Sequence, residues 1–133
     1  MINFTEDLET KVPHIDEQHR ELFSRINAAV ELGSTAAEKA ETDKTFKLLG
    51  DYIDRHFSDE EALQRKSGYP KCDWHREQHQ LYVRAFQELK AEYDQNGPSL
   101  EFTLRLNKSI IDWIVKHIRY VDKELGKYIR DKG

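Results

Sequence analysis

The chain has 133 residues, enough for one compact domain with a sizeable core. Charged residues make up 35% of it and hydrophobic ones 38%, and the net charge of -4 is mild with Lys and Arg scattered, which excludes the basic stripe of a nucleic-acid binder. No apolar run approaches the roughly 20 residues of a membrane helix, Met1 to Thr10 carry no signal-peptide pattern, and the single cysteine, Cys72, excludes an internal disulfide.

These properties lead us to expect one domain over residues 1–133, in the cytoplasm. Strand signals are weak, because no stretch sustains a two-residue alternation. The first dozen residues, with Phe4 and Leu8, are expected to form an arm that packs across the rest. Four segments then carry the helical period. The first runs from about Asp16 to Leu32, with Asp16 as its N-cap and Gly33 as its stop. Its apolar stripe is Ile15, His19, Leu22, Phe23, Ile26 and Val30. The second begins after Ala40 and reaches about Ser67, where Gly68 and Pro70 end it. Its stripe is Phe46, Leu49, Ile53, His56, Phe57, Glu60 and Leu63.

The third runs from about Lys71 to Asp94 and ends at Asn96-Gly97-Pro98. Its stripe is His75, His79, Tyr82, Phe86, Leu89 and Tyr93. The fourth starts at Pro98 or Ser99, since Pro suits a first helical turn. Its stripe is Leu106, Ile110, Trp113, Ile114, His117 and Val121. The tail from Asp122 to Lys132 adds a short helical extension. Short connections between four helices predict an all-α, antiparallel up-down-up-down bundle.

The stripes carry polar residues that a core does not take without cause. His19, His56, Glu60, His75, His79, His117 and Asp122 all fall on them or at their ends. In an antiparallel bundle the start of one helix lies level with the end of the next. His19, near the start of helix one, is therefore level with His56 and Glu60, near the end of helix two. The same rule brings in His75 and His79 and then His117, so one end of the core collects all seven.

A lone imidazole on an apolar stripe is most often a satisfied core residue. Five of them with two carboxylates, and no Lys or Arg on the stripes to neutralise them, are best explained by bound metal. Residues four apart differ by about 40° around a helix, so His56 and Glu60 share a face, as do His75 and His79. His117 and Asp122 are five apart, about 140° on an ideal helix. A shared site requires a π-type bulge or an irregular end between them. With no thiolate in the set, an iron–sulfur cluster is excluded. Mixed imidazole and carboxylate donors suit iron, with manganese, cobalt or zinc as substitutes. The paired Glu-x-x-His motifs of ferritin-like proteins are missing.

At these residues the chain resembles the bacterial hemerythrins. The matching segments are Ile15-Asp16-Glu17-Gln18-His19, His56-Phe57-Ser58-Asp59-Glu60-Glu61, Gly68-Tyr69-Pro70, His75-x-x-x-His79 and Trp113-x-x-x-His117-Ile118-x-x-x-Asp122. The resemblance covers nearly the whole chain. It implies two iron ions, Fe2+ or Fe3+, with a bridging oxo or hydroxo group. One would be held by His75, His79 and His117 and the other by His19 and His56, with Glu60 and Asp122 bridging. That arrangement leaves one position open, beside His19 and His56, and implies reversible O2 binding for storage, delivery or sensing. The alternative is an oxidase, peroxidase or nitric-oxide-reducing enzyme at the same centre. A single open position and the lack of a further acid–base residue on the stripes favour binding over catalysis. A third reading is a sensory module of a longer protein. The chain starts at Met1 and ends soon after the bundle, so we expect a free-standing protein.

Ile26, Phe57, Trp113, Ile114 and Val121 are candidates for a dry pocket lining, as well as ordinary core residues. Phe4 stands where the family often has Trp, and Leu63 and Gln64 lie where it commonly has Met. Gln64 is expected to face solvent, His14 to be exposed and outside the site, Cys72 to be a plain thiol, and Tyr82 and Tyr120 to serve packing.

Overall fold

The computed structural model describes residues 2–33 and 39–132. Helix α1 occupies Pro13–Gly33, α2 Lys39–Ser67 and α3 Cys72–Asn96. Helix α4 is one helical run over 100–132, in which α-helical stretches alternate with two π-helical ones, Asn107–Asp112 and Ile118–Asp122. Contacts run from α1 to α2, α2 to α3, α3 to α4 and back from α4 to α1, closing an antiparallel four-helix bundle. The C-terminal extension is thus the continuation of α4. The link over 34–38 lies outside the described residues, as does any stop that Gly33 makes. No helix among the described residues is long and apolar enough to cross a membrane.

Helix α1 begins three residues earlier than its stripe suggests. Pro13 tolerates the first turn because its missing N–H would have no partner there. Asp16 is consequently not the N-cap. It is buried inside the first turn and accepts from the Thr10 N–H (2.8 Å), the Thr10 hydroxyl (2.7 Å) and the Lys11 N–H (3.1 Å). Its carboxylate holds the arm in place, with Lys11 at φ 65, a conformation that a non-glycine residue adopts at a cost. The arm then lies against the far end of α4. A Cβ added to Gly126 would come within 2.7 Å of the Thr10 carbonyl oxygen, so only glycine permits this approach.

The ends of α3 and α4 follow their local chemistry. Gly97, at φ 71, closes α3 by donating to the Tyr93 carbonyl at 2.8 Å. The Ser99 hydroxyl then caps α4 by accepting from the Phe102 N–H at 3.0 Å. The stripe of α3 is buried at all six expected positions. In α4 the two π segments each insert a residue. Each insertion shifts the helical phase, and Ile110 with Ile111 and His117 with Ile118 are buried side by side there. Trp113 and Val121 are only half-buried.

The core has two unlike ends. One is aromatic and apolar: Phe46 packs against Tyr93 (ring centroids 5.6 Å apart), Phe102 (6.1 Å) and Phe86 (6.2 Å). The other contains all the polar stripe residues. It is closed by a small cluster of Ile15, Tyr69 and Leu125, with Leu63 and Tyr128 packed against it.

Candidate metal centre

All seven side chains meet at that second end, each no more than 4% exposed. They come from four helices, at the common depth that antiparallel topology requires. The awkward spacing in α4 is resolved as expected. The π-helical turn over Ile118–Asp122 brings residue i+5 into line, and His117 Nε2 lies 3.0 Å from Asp122 Oδ1.

The distances divide the cluster in two. Glu60 turns Oε1 to His75 Nε2 (3.1 Å) and His79 Nε2 (3.3 Å). It turns Oε2 to His56 Nε2 (3.4 Å) and, further off, to His19 Nε2 (3.8 Å). Asp122 repeats the pattern, with Oδ1 against His75 (2.9 Å) and His117 (3.0 Å) and Oδ2 against His19 (3.1 Å). Donor atoms of Glu60, His75, His79, His117 and Asp122 lie within 4.8 Å of one another, and so do those of His19, His56 and Glu60. Each carboxylate therefore presents one oxygen to each group of imidazoles.

Outer partners fix which ring nitrogen points inward. Gln18 Nε2 donates to Asp59 (2.9 Å), so its Oε1 faces His56 Nδ1 at 2.8 Å. An amide oxygen can only accept, which places the His56 proton on Nδ1 and leaves the Nε2 lone pair facing the cluster. Glu61 does the same for His79, with 2.9 Å to Nδ1. Sequence reasoning gave neither Gln18 nor Glu61 a role. Their only signal is adjacency: Gln18 precedes His19 and Glu61 follows Glu60, one step off the stripe and towards the neighbouring helix.

The electrostatics are those of a crowded buried site. Burial works against a charged His19, but the neighbouring carboxylates of Asp122 and Glu60 outweigh it and hold the imidazole up at about 9. His75 is likewise opposed by burial and held up at about 9 by Asp122 and Glu60. Burial pushes His56 down to about 4, with Glu60 opposing only in part. Burial would raise both carboxylates, and repulsion from Asp122 would raise Glu60 further. The imidazoles around them win instead, and Glu60 and Asp122 are held well below the usual carboxylate range.

The donor set fits metal ions on a further observation. Buried atoms without a hydrogen-bond partner include His19 Nε2, His56 Nε2, His79 Nε2, both Glu60 oxygens and Asp122 Oδ1, all directed at the same small volume. His75 Nε2 and His117 Nε2 stand 3.1 Å apart. Polar atoms so crowded fit a common electrophile between them, because an orphaned buried polar atom is otherwise costly.

Aromatic side chains wall the cluster. Phe57 stacks on His79 (centroids 3.8 Å, planes 2° apart) and Trp113 on His117 (4.6 Å, 11°), with Tyr82 stacked behind Trp113 (4.5 Å). Phe4 of the arm sits 6.4 Å from the His19 ring, which suits it as the counterpart of an N-terminal Trp. Ile26 and Ile114 are fully buried, as are Ile118 and Tyr82, whose hydroxyl donates to the Ile110 carbonyl. His14 is exposed and apart from the cluster. Two expectations fail. Tyr120 is 67% exposed and packs into no core. Gln64 does not face solvent but is wholly buried, because it falls on the stripe of Ile53, Phe57 and Glu60.

A four-helix bundle with five imidazoles and two carboxylates converging in its core defines a metal-binding helical protein. Residues 10–129 match the family described as the hemerythrin HHE cation binding domain, and the chain belongs to the hemerythrin family. It is 26% identical over 130 residues to a bacteriohemerythrin of Stenotrophomonas maltophilia, covering 98% of this chain and 82% of that one. It is 30% identical over 118 residues to a bacteriohemerythrin of Campylobacter jejuni, covering 89% and 87%. A solved wild-type hemerythrin crystal structure superposes with a TM-score of 0.82 at 27% identity, covering 96% of each chain.

Proposed function

We propose that this chain binds O2 reversibly at a pair of iron ions and is a binding protein, not an enzyme. His75, His79 and His117 would hold one ion and His19 and His56 the other, with Glu60 and Asp122 placed to serve both. The carrying observation is that each carboxylate offers one oxygen to each imidazole group. Bound iron supplies the reversible redox chemistry that O2 binding needs.

The protein supplies the rest. Three imidazoles serve one ion and two the other, so the smaller set leaves room for a small ligand on the side of His19 and His56. Gln18 and Glu61 hold their rings with Nε2 inward. Phe57, Ile26, Ile114 and Ile118 exclude water from the buried cluster, which keeps stray protons from a bound ligand.

The test is spectroscopic. The iron-loaded protein is reduced without oxygen, air is admitted, and the visible spectrum is followed. A band that appears in air, disappears under vacuum and returns over repeated cycles is expected. Direct conversion to a stable oxidised form, with catalytic consumption of added peroxide, would favour the enzyme reading. Iron analysis at trace level would defeat both.

A further inference from the structure

Once the inward Nε2 and carboxylate atoms are assigned to metal, the unpartnered atoms at this end of the bundle are few. Among the buried side chains of the described residues they are His19 Nδ1, His75 Nδ1, and both amide atoms of Gln64. Gln64 is 0% exposed, so water at the surface cannot serve it. A buried primary amide with neither its donor nor its acceptor engaged is rare in a folded protein and calls for a partner.

The register of α2 against α3 says which partner. Phe46 meets Tyr93, Phe57 meets Tyr82 (5.9 Å) and Glu60 Oε1 meets His79 (3.3 Å). Going down this antiparallel pair, each step forward in α2 is matched by an equal step back in α3. One turn beyond Glu60 is Gln64, and one turn before His79 is His75. The turn after α2 ties the same two positions together: the Tyr69 N–H donates to the Gln64 backbone carbonyl at 2.9 Å, and the Tyr69 ring lies edge-on to His75 at 6.4 Å. The chemistry is complementary as well. His75 Nε2 faces both carboxylates, so Nδ1 is its outward nitrogen and carries the proton when Nε2 is a ligand.

We propose that Gln64 is a positioning residue of the metal centre: its Oε1 and the His75 Nδ1–H, unpaired in this structure, join when Nε2 binds metal, fixing that ring as Gln18 fixes His56. The proposal rests on the metal-centre reading above. It gives the ring of His75, which serves both carboxylates, an outer support like those of His56 and His79. Metal-ligating histidines are generally held in this way, and loss of the outer partner typically costs about 10–100-fold in metal affinity.

The test uses the full chain loaded with cobalt(II), whose paramagnetism shifts the ring N–H protons of ligating histidines clear of the rest of the proton spectrum. In Gln64→Met, which keeps the volume and removes both polar atoms, the His75 Nδ1–H resonance is expected to move or to vanish by exchange. The His56 and His79 resonances should stay. Cobalt affinity is expected to fall about 10-fold or more, while the melting temperature of the metal-free protein does not drop, because an unpaired amide has been removed. Gln64→Asn withdraws the carbonyl by one methylene without adding an apolar group, and must show the same loss of the His75 signal. An unmoved His75 resonance in both variants overturns the proposal. So does an affinity loss matched by an equal loss of metal-free stability, which would mark Gln64 as a packing residue. Failure of the unaltered chain to take up cobalt would count against the metal centre, not against the pairing.

Discussion

The two ends of this bundle are equally buried and hold together for different reasons. At the apolar end, Phe46, Phe86, Tyr93 and Phe102 need nothing beyond each other, since burial of aromatic surface is itself favourable. At the metal end, five imidazoles and two carboxylates occupy positions of the same helical phase and depth, yet many of their inward atoms have no partner. One end stabilises the fold unaided. The other spends stability until something binds, which is the usual signature of a functional site in an otherwise consistent fold.

The largest expected effect separates the ends through their response to metal. Phe46→Ala should cost about 3–5 kcal/mol, and should lower the metal-free and metal-loaded proteins alike in chemical denaturation. Loading with iron should stabilise the unaltered chain and Phe46→Ala by the same increment, about 4 kcal/mol at a free metal concentration 1,000 times the dissociation constant. An increment that vanished in Phe46→Ala would mean that the ends are coupled and that the contrast is false.

A middle-sized effect tests how the arm is fastened over the metal end. Gly126→Ala forces a Cβ against the Thr10 carbonyl and should destabilise by about 1–3 kcal/mol. The arm must lift or α4 must shift, so the Phe4 contact with His19 should loosen too. Unchanged thermal stability and unchanged exchange of the Thr10 amide hydrogen would show that the arm does not lie there.

The smallest effect is in pH. In the metal-free chain His19 and His75 are held up at about 9, above the unfolded value of about 6.5. Their contribution is complete below the unfolded value and is lost as pH rises through about 9. His56, held down at about 4, works the other way: its contribution fades as pH falls from about 6.5 to about 4. Glu60 and Asp122, held low, add to the loss in acid. Denaturation of the metal-free protein should therefore show greatest stability near neutrality, with a decline on both sides. Metal uptake at neutral pH should release protons from His19 and His75, detectable in weakly buffered solution with an indicator dye. Proton uptake instead would reverse the assigned charge states.

How much could be read from the chain alone follows from which interactions are local. The stripe of α3 is buried at every expected position because an uninterrupted α-helix keeps phase over its whole length. The π segment before Asp122 was legible as a violation, since His117 and Asp122 could share a site only if the helix broke period. Its twin over Asn107–Asp112 was not, because no pair of chemically marked residues spans it. Gln64 was misread by residue type: a polar side chain defaults to solvent, although its phase with Phe57 and Glu60 put it in the core. Gln18 and Glu61 lay beyond reach for another reason. Each is defined by a ring on another helix, 38 and 18 residues away, and such pairings exist only once the helices pack.

The central claim is that Glu60 and Asp122 join two metal ions into one centre. Iron analysis combined with electron paramagnetic resonance on the oxidised, iron-loaded protein tests it most directly. Two irons per chain and no signal from isolated ferric ions are expected, because carboxylates shared by both ions would hold the irons close enough to couple their spins. One iron per chain, or two giving the full signal of independent ferric ions, would contradict it.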